Sequence, residues 1–228
     1  MKFDDGIEPH YKQSIDDAFA VILEKGNEMQ KFIAAEILAS EMTICVHPVS
    51  KVKASGITGV INPRQTNKKI AAGKLNLREA LGEIFITIAK ETIDTGGQRG
   101  CEGTLIHEGR HAYDFARMIE SFSDANEENR EIFNPTLYEL EWEAHKTSGD
   151  YMIRIGSDEY LDEGLQLMIL KSENGICEVC GDGIKRRLQQ NYSLNEFDGR
   201  GVTAAEMFGL QPPRRRGFSF SRFFGFGS

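Results

Sequence analysis

Residues 104–113 of this chain read TLIHEGRHAY and contain the pattern from which the rest of the sequence is best interpreted. His107 and His111 are four positions apart, and the surrounding apolar residues repeat at helical spacing, which predicts a helix over 101–120. Residues four apart on a helix project from one face, so the two imidazoles can converge on a single metal ion. Glu108 lies between them, where its carboxylate can reach a water molecule at that ion.

A metal ion held for catalysis usually has a third protein ligand, and the run YELEWEAH at 138–145 offers three glutamates. Helical periodicity places Glu141 on the inward, partly small-residue face of this segment. Glu139 and Glu143 fall on the more polar side and remain the alternatives. We therefore predict a ligand set of His107, His111 and Glu141.

The segments before this region are predicted to be helices and then short strands. Pro9 at a helix start and Gly26 as a stop bound an amphipathic helix, and Asn27 begins a second helix with a capping box to Gln30. β-branched runs then predict strands at 42–47, 57–62 and 83–89, with 70–77 as a weaker strand and 94–100 as a loop.

The segments after it are predicted to be helices. A polar connection over 121–134 leads to helices over 137–155 and 157–170 and to short helices near Ile184 and Thr203. The order of helices, strands and helices predicts an α+β domain over residues 1–210. A small mixed sheet in its first half packs on the active-site helix, and a helical subdomain follows.

The composition is that of an ordinary globular chain and disfavours several classes of protein. The 228 residues include 27 Lys and Arg against 35 Asp and Glu, and the resulting formal charge of -8 argues against a nucleic-acid-binding surface. No run approaches the roughly 18 consecutive apolar residues of a membrane span. The first ten residues, MKFDDGIEPH, lack the basic and apolar parts of a secretory signal. We expect a soluble protein, cytoplasmic where it is synthesised, whose export, if any, uses a signal-peptide-independent route.

Residues 211–228 differ in kind from the rest of the chain. They read QPPRRRGFSFSRFFGFGS, with four arginines, no acidic residue and five of the 14 phenylalanines. The functional hypothesis for this basic tail is docking of a partner, and the alternative is a flexible end.

Cys177 and Cys180 have the spacing of one half of a zinc knuckle. Since a knuckle supplies only two of four thiolates, a second, structural ion is not expected there. A disulfide or redox pair and inert thiols are the other interpretations.

The segment His107-Glu108-x-x-His111 resembles the HExxH motif of the zincin superfamily of zinc peptidases. The later pattern Glu141-x-x-Ala144-His145 is similar to the third-ligand helix of gluzincin-type peptidases, in which an Asp more usually follows the Ala. The resemblance covers residues 104–151.

The chain also departs from the family pattern. Zincins usually have uncharged residues between the Glu and the second His, whereas this chain has Gly109 and the charged Arg110. Asp114 and Arg117 occupy the positions at which the extended metzincin pattern requires Gly and His, which excludes that branch.

The resemblance implies a zincin-like fold, in which a small sheet packs over two zinc-bearing helices and its edge strand can hold an extended peptide. It implies one catalytic Zn²⁺ and hydrolysis of peptide bonds in a protein substrate by a zinc-bound water, with Glu108 as general base. His145 is a candidate for stabilising the oxyanion or for supporting a ligand from behind. Asp114 is a candidate for orienting a ligand histidine, and the equal alternative is a solvated or ion-paired carboxylate on the helix surface.

More loosely, the architecture resembles that of bacterial effector or toxin metallopeptidases. Two other classes of function stay open. One is a zinc-bearing, non-catalytic binding or regulatory module. The other is an interaction protein that acts through residues 211–228.

Overall fold

Helix α6 (Lys90–Asp124) carries residues 104–113 and is the element around which the computed structural model is organised. The structure describes residues 1–73, 75–124, 132–195 and 201–212. The helix is interrupted at Gly97, whose φ of 58° and ψ of -148° are far more accessible to glycine than to other residues. Beyond that break it runs without interruption to Asp124, so both histidines lie on one helix.

The other described elements flank α6 in the chain. Before it come β1 (Lys2–Phe3), α1 (Pro9–Lys25), α2 (Glu28–Ala39), β2 (Thr43–His47), α3 (Val49–Val52), β3 (Gly56–Val60), α4 (Pro63–Ala72), α5 (Leu77–Leu81) and β4 (Ile84–Ala89). After it come α7 (Leu137–Ile155), α8 (Asp158–Gln166), β5 (Leu170–Glu173), β6 (Ile176–Val179), α9 (Gly181–Tyr192) and α10 (Ala204–Phe208). None of the described helices combines the length and apolar character that crossing a membrane requires.

Strands β1 to β4 form one mixed sheet in the order β1-β2-β4-β3. β1 and β4 run parallel to β2, whereas β3 runs antiparallel to β4. The side chains of Ile84, Ile86 and Ile88 in β4 are fully buried, as expected for β-branched residues inside a sheet. The predicted α+β class with a small mixed sheet in the first half is therefore confirmed, and β3 is the edge strand that approaches α6.

Helix α6 is covered on several sides. The sheet packs on it through β3 and β4, and α1, α2 and α5 pack on it as well. Helix α7 packs against α6, and α8, α9 and the hairpin β5–β6 pack against α7. The second half of the chain is thus assembled around α7.

Three predicted segments differ from the structure. Residues 70–77 are predicted as a strand, but the first of them form the end of helix α4. That helix forms because Asn62 caps it, Pro63 fits its first turn and Ile70 is buried. The predicted loop 94–100 is helical on both sides of the break at Gly97. The predicted helix 157–170 ends at Gln166, and the hairpin β5–β6 follows.

A buried carboxylate ties α6, α7 and α8 together. Glu102 on α6 is 3% exposed, and its Oε2 accepts hydrogen bonds of 2.6 Å from the hydroxyls of both Tyr151 and Tyr160. Because a buried carboxylate without donors is costly, these two tyrosines fix how the three helices pack.

We expect Tyr151→Phe to lower the free energy of unfolding by about 1.5–3 kcal/mol, since it removes a buried hydrogen bond to a charged group. Urea denaturation followed by circular dichroism measures this change. Tyr113→Phe is the matched control, because no hydrogen bond of that hydroxyl is seen among the described residues, and it should change stability by less than about 0.5 kcal/mol. Equal effects of the two substitutions would contradict the role given to Glu102.

Candidate metal centre

Two histidines of α6 and one glutamate of α7 meet between these helices. His107 Nε2 and His111 Nε2 are 3.2 Å apart. The Glu141 carboxylate lies 3.6 Å from His107 Nε2 through Oε2 and 3.5 Å from His111 Nε2 through Oε1. Within the described ranges, this is the one group of three or more His, Cys, Asp or Glu side chains close enough to hold a metal ion.

Burial and neighbouring charges set the protonation of these groups. Burial, assisted by the charge of His107, lowers the pKa of His111 to about 3, so this imidazole is neutral near pH 7, the form that binds a metal. Burial opposes ionisation of Glu141, but the histidines around it outweigh that effect and hold its pKa below the ordinary value. Burial also opposes a charge on His107, yet Glu141 and Glu108 raise its pKa overall. The carboxylates therefore favour a positive charge at this point, either a proton or a metal ion.

The polar atoms of the group are not fully satisfied by protein partners. Glu141 Oε2 and His111 Nδ1 are buried and have no hydrogen-bond partner among the described residues. Buried polar atoms normally have a partner, and a metal ion would supply one for the carboxylate oxygen. The residues present thus fit a bound cation.

The two alternative glutamates make other contacts. Glu139 forms the capping box at the start of α7, where its Oε2 accepts from the Thr136 backbone N–H at 2.7 Å. Glu143 lies 3.2 Å from Arg110 Nη1. Of the three glutamates in the run 138–145, the structure brings only Glu141 to the two histidines.

The two unusual residues inside the motif face away from the metal group. Arg110 reaches Asp114, with Nε 2.8 Å from Oδ2, so Asp114 binds an arginine and not a ligand histidine. A Cβ at Gly109 would lie 3.4 Å from Ile37 Cδ1 of α2. The absence of a side chain at Gly109 therefore allows a side chain of α2 to pack closely on α6.

Glu108 is held beside the three-residue group by the edge strand. The Thr58 hydroxyl of β3 donates to Glu108 Oε2 at 2.7 Å and also lies 3.1 Å from the Glu108 carbonyl oxygen. Burial raises the pKa of Glu108, and the opposing effects of His107 and of the Thr58 hydrogen bond do not cancel it. Glu108 is thus a buried carboxylate with an increased affinity for a proton.

The close approach of β3 depends on a glycine. A Cβ at Gly56 would lie 2.6 Å from Thr104 Cγ2 and 2.8 Å from Glu108 Cγ, closer than packed atoms allow. Sequence reasoning missed both Gly56 and Thr58, although the glycines of the run GITGV at 56–60 indicate close approach of another segment.

His145 lies at the edge of the same group. Its Nε2 is 4.0 Å from Glu141 Oε2, and its ring centre is 4.9 Å from that of His107. Burial, assisted by His107, lowers the pKa of His145 to about 3, so it is neutral near pH 7. Tyr192 of α9 has its ring centre 6.0 Å from that of His145 and was not anticipated from the sequence.

One cleft of about 490 Å³ is lined by His107, Glu108, His111, Glu141, His145 and Tyr192. The wall opposite α6 and α7 is formed by Ser55 to Thr58 at β3, and α9 contributes Arg187 and Tyr192. The cleft is therefore bounded by a sheet edge on one side and by helices on the others.

The cysteines stand apart from this group. Cys177 lies in β6, and Cys180 caps α9, where its Sγ accepts from the Gly183 backbone N–H at 3.3 Å. Neither is in a disulfide.

The predicted docking tail, residues 211–228, lies almost entirely outside the described residues.

The fold and the site define an α+β protein with a His/His/Glu group able to hold a metal ion. No protein family, curated protein or solved structure compared with this chain matches it.

We expect the purified protein to bind about one metal ion per chain, and Glu141→Ala to weaken binding by about 100-fold or more, because loss of a ligand should exceed the 10- to 100-fold loss typical of outer-shell changes. Metal content by mass spectrometry, with chelator competition, measures both. Glu143→Ala is the matched control and should keep wild-type affinity. The opposite pattern in the two variants would transfer the ligand role to Glu143.

Gly56→Ala should lower the free energy of unfolding by about 1–3 kcal/mol, because the added methyl group overlaps Thr104 and Glu108 unless β3 moves away from α6. Gly103→Ala serves as control, since a Cβ there meets no atom within 4 Å, and should stabilise the helix by about 0.5–1 kcal/mol. Thermal and urea unfolding of both variants test the contact. Equal stability of Gly56→Ala and the wild type would show that β3 is not held by this approach.

Proposed function

We propose that this protein is a zinc-dependent metalloendopeptidase of the zincin type, which hydrolyses peptide bonds of a protein substrate. The observation that carries the proposal is the placement of Glu108. Its buried carboxylate lines the same cleft as His107 and His111, and an edge strand holds it there through Thr58. A metal-binding group built for structure alone would not need this fourth residue.

The ligand types favour zinc. The two imidazole Nε2 atoms are 3.2 Å apart, and each lies 3.5–3.6 Å from a different oxygen of the Glu141 carboxylate. Two neutral imidazoles and one carboxylate are also a ligand set found in zinc hydrolases, which keep a fourth position for water or substrate.

Bound at this point, zinc would supply a Lewis acid that polarises a carbonyl and makes a water more acidic. Glu108 would take a proton from the attacking water on its carboxylate and return it to the leaving amine. Its raised pKa suits this exchange, because a stronger base accepts a proton more readily near neutral pH. His145, which is neutral and lies at the edge of the group, would donate a hydrogen bond to the developing oxyanion.

The edge strand supports a peptide as the substrate. β3 pairs with β4 on one side, and along its other edge no described strand pairs with it. Ile57 of β3 is 39% exposed, and the strand lines the cleft over the candidate metal group. An extended peptide can add to such an edge through backbone hydrogen bonds, which brings its carbonyl groups toward Glu108.

We expect Glu108→Gln to retain zinc but to lose at least about 100-fold in the rate of peptide hydrolysis, since the amide cannot accept the proton. The measurement is cleavage of a proteome-derived peptide library by the zinc-loaded protein, read by mass spectrometry, with metal content determined on the same samples. His107→Ala is the matched control and should lose zinc and activity together. Cleavage by Glu108→Gln at the wild-type rate would remove the general-base assignment, and absence of cleavage by the wild type would remove the peptidase.

A further inference from the structure

An arginine that pairs with no acidic residue of the described ranges lines the cleft of the candidate metal centre. Arg187 lies on α9, one helical turn after Ile184 and next to Leu188, both of which are fully buried. These two side chains anchor α9 on the protein, so Arg187 is presented to the cleft from a packed helix and not from a loop.

Part of the Arg187 guanidinium is buried, and its Nε has no hydrogen-bond partner among the described residues. No salt bridge joins Arg187 to a carboxylate in the part of the chain that the structure describes. Other arginines near the site differ, because Arg99 is 3.4 Å from Glu163 and Arg110 is 2.8 Å from Asp114. A buried cation left unpaired costs stability unless a ligand supplies the missing anion.

Its charge is felt by the residues of the site. Burial is the largest cause of the lowered pKa of His145, and the charge of Arg187 lowers that pKa further. Burial raises the pKa of Tyr192, and Arg187 opposes the rise. Arg187 therefore lies within electrostatic reach of both the candidate metal group and the tyrosine at the cleft wall.

We propose that Arg187 is a substrate-binding residue that recognises a carboxylate of the peptide. The planar fork of a guanidinium matches the two oxygens of a carboxylate, and in a partly buried cleft such a pair is strong and directional. The carboxylate can belong to an acidic side chain near the scissile bond, as an endopeptidase would require, or to a free C-terminus, which would make the protein a carboxypeptidase. This inference rests on the proposed peptidase function, whose substrate class it specifies.

The test is binding of short N-acetylated peptides to the zinc-loaded Glu108→Gln variant, which leaves the peptides intact. Isothermal titration calorimetry compares a peptide containing one glutamate with its glutamine counterpart, and a peptide with a free C-terminus with its amide. We expect one acidic peptide to bind about 10- to 100-fold more tightly than its neutral counterpart, the range for a hydrogen bond to a charged group. Which pair shows the difference identifies the source of the carboxylate.

Two further variants in the same background assign the preference to Arg187. Arg187→Met keeps the aliphatic stem and should abolish the preference for the acidic peptide. Arg186→Met, a change at the exposed neighbouring arginine of the same helix, should leave the preference unchanged. Unchanged melting temperatures would show that all the variants are folded.

The outcomes separate this inference from the proposed function. A preference that survives in Arg187→Met overturns the assignment, as does equal or undetectable binding of acidic and neutral peptides. If the preference depends on Arg187 but the wild type hydrolyses nothing, the carboxylate site stands and the peptidase proposal fails. If the wild type hydrolyses neutral and acidic peptides equally well, the peptidase stands and the carboxylate site fails.

Discussion

The antiparallel packing of α7 on α6 is the constraint on which the candidate metal centre depends. The hydrogen bond from the Tyr151 hydroxyl of α7 to Glu102 of α6 fixes how these helices meet. Because the two helices are antiparallel, Glu141, which precedes Tyr151 on α7, then faces His107 and His111, which follow Glu102 on α6. A shift of α7 by one residue would rotate Glu141 away from them, because successive residues of a helix point in different directions.

The edge strand completes the site from the opposite side. Gly56 allows β3 to approach α6 without a clash, and Thr58 then reaches the Glu108 carboxylate. The two carboxylates of the site are thereby placed differently. The histidines around Glu141 hold its pKa below the ordinary value, whereas burial raises the pKa of Glu108. Two carboxylates with opposite shifts can play two roles, one as a ligand and the other as a base.

The sequence predicted those parts of the fold and site that depend on local spacing. Helix periodicity located both histidines and distinguished Glu141 from Glu139 and Glu143, because a helix face can be read from residue order alone. The contact of β3 with α6 depends on how a distant strand packs, and the pairing of arginines depends on tertiary neighbours, so Thr58 and Arg187 were not anticipated. The hairpin β5–β6 was missed although Asn174-Gly175 is a strong turn signal, since its strands have only four residues each.

The charged groups around the cleft affect one another, and together they indicate which kind of ligand the cleft favours. Burying Glu108 and Glu141 near each other is unfavourable, and a divalent cation held by His107, His111 and Glu141 would offset that cost. The same cation would then lie in one cleft with the guanidinium of Arg187, and the two positive charges would repel each other. Neither glutamate pairs directly with the arginine to offset this repulsion. An anionic group of a bound ligand would offset that repulsion and would supply Arg187 with its missing partner. The electrostatics of the cleft therefore favour a ligand that carries a negative charge on the side of α9.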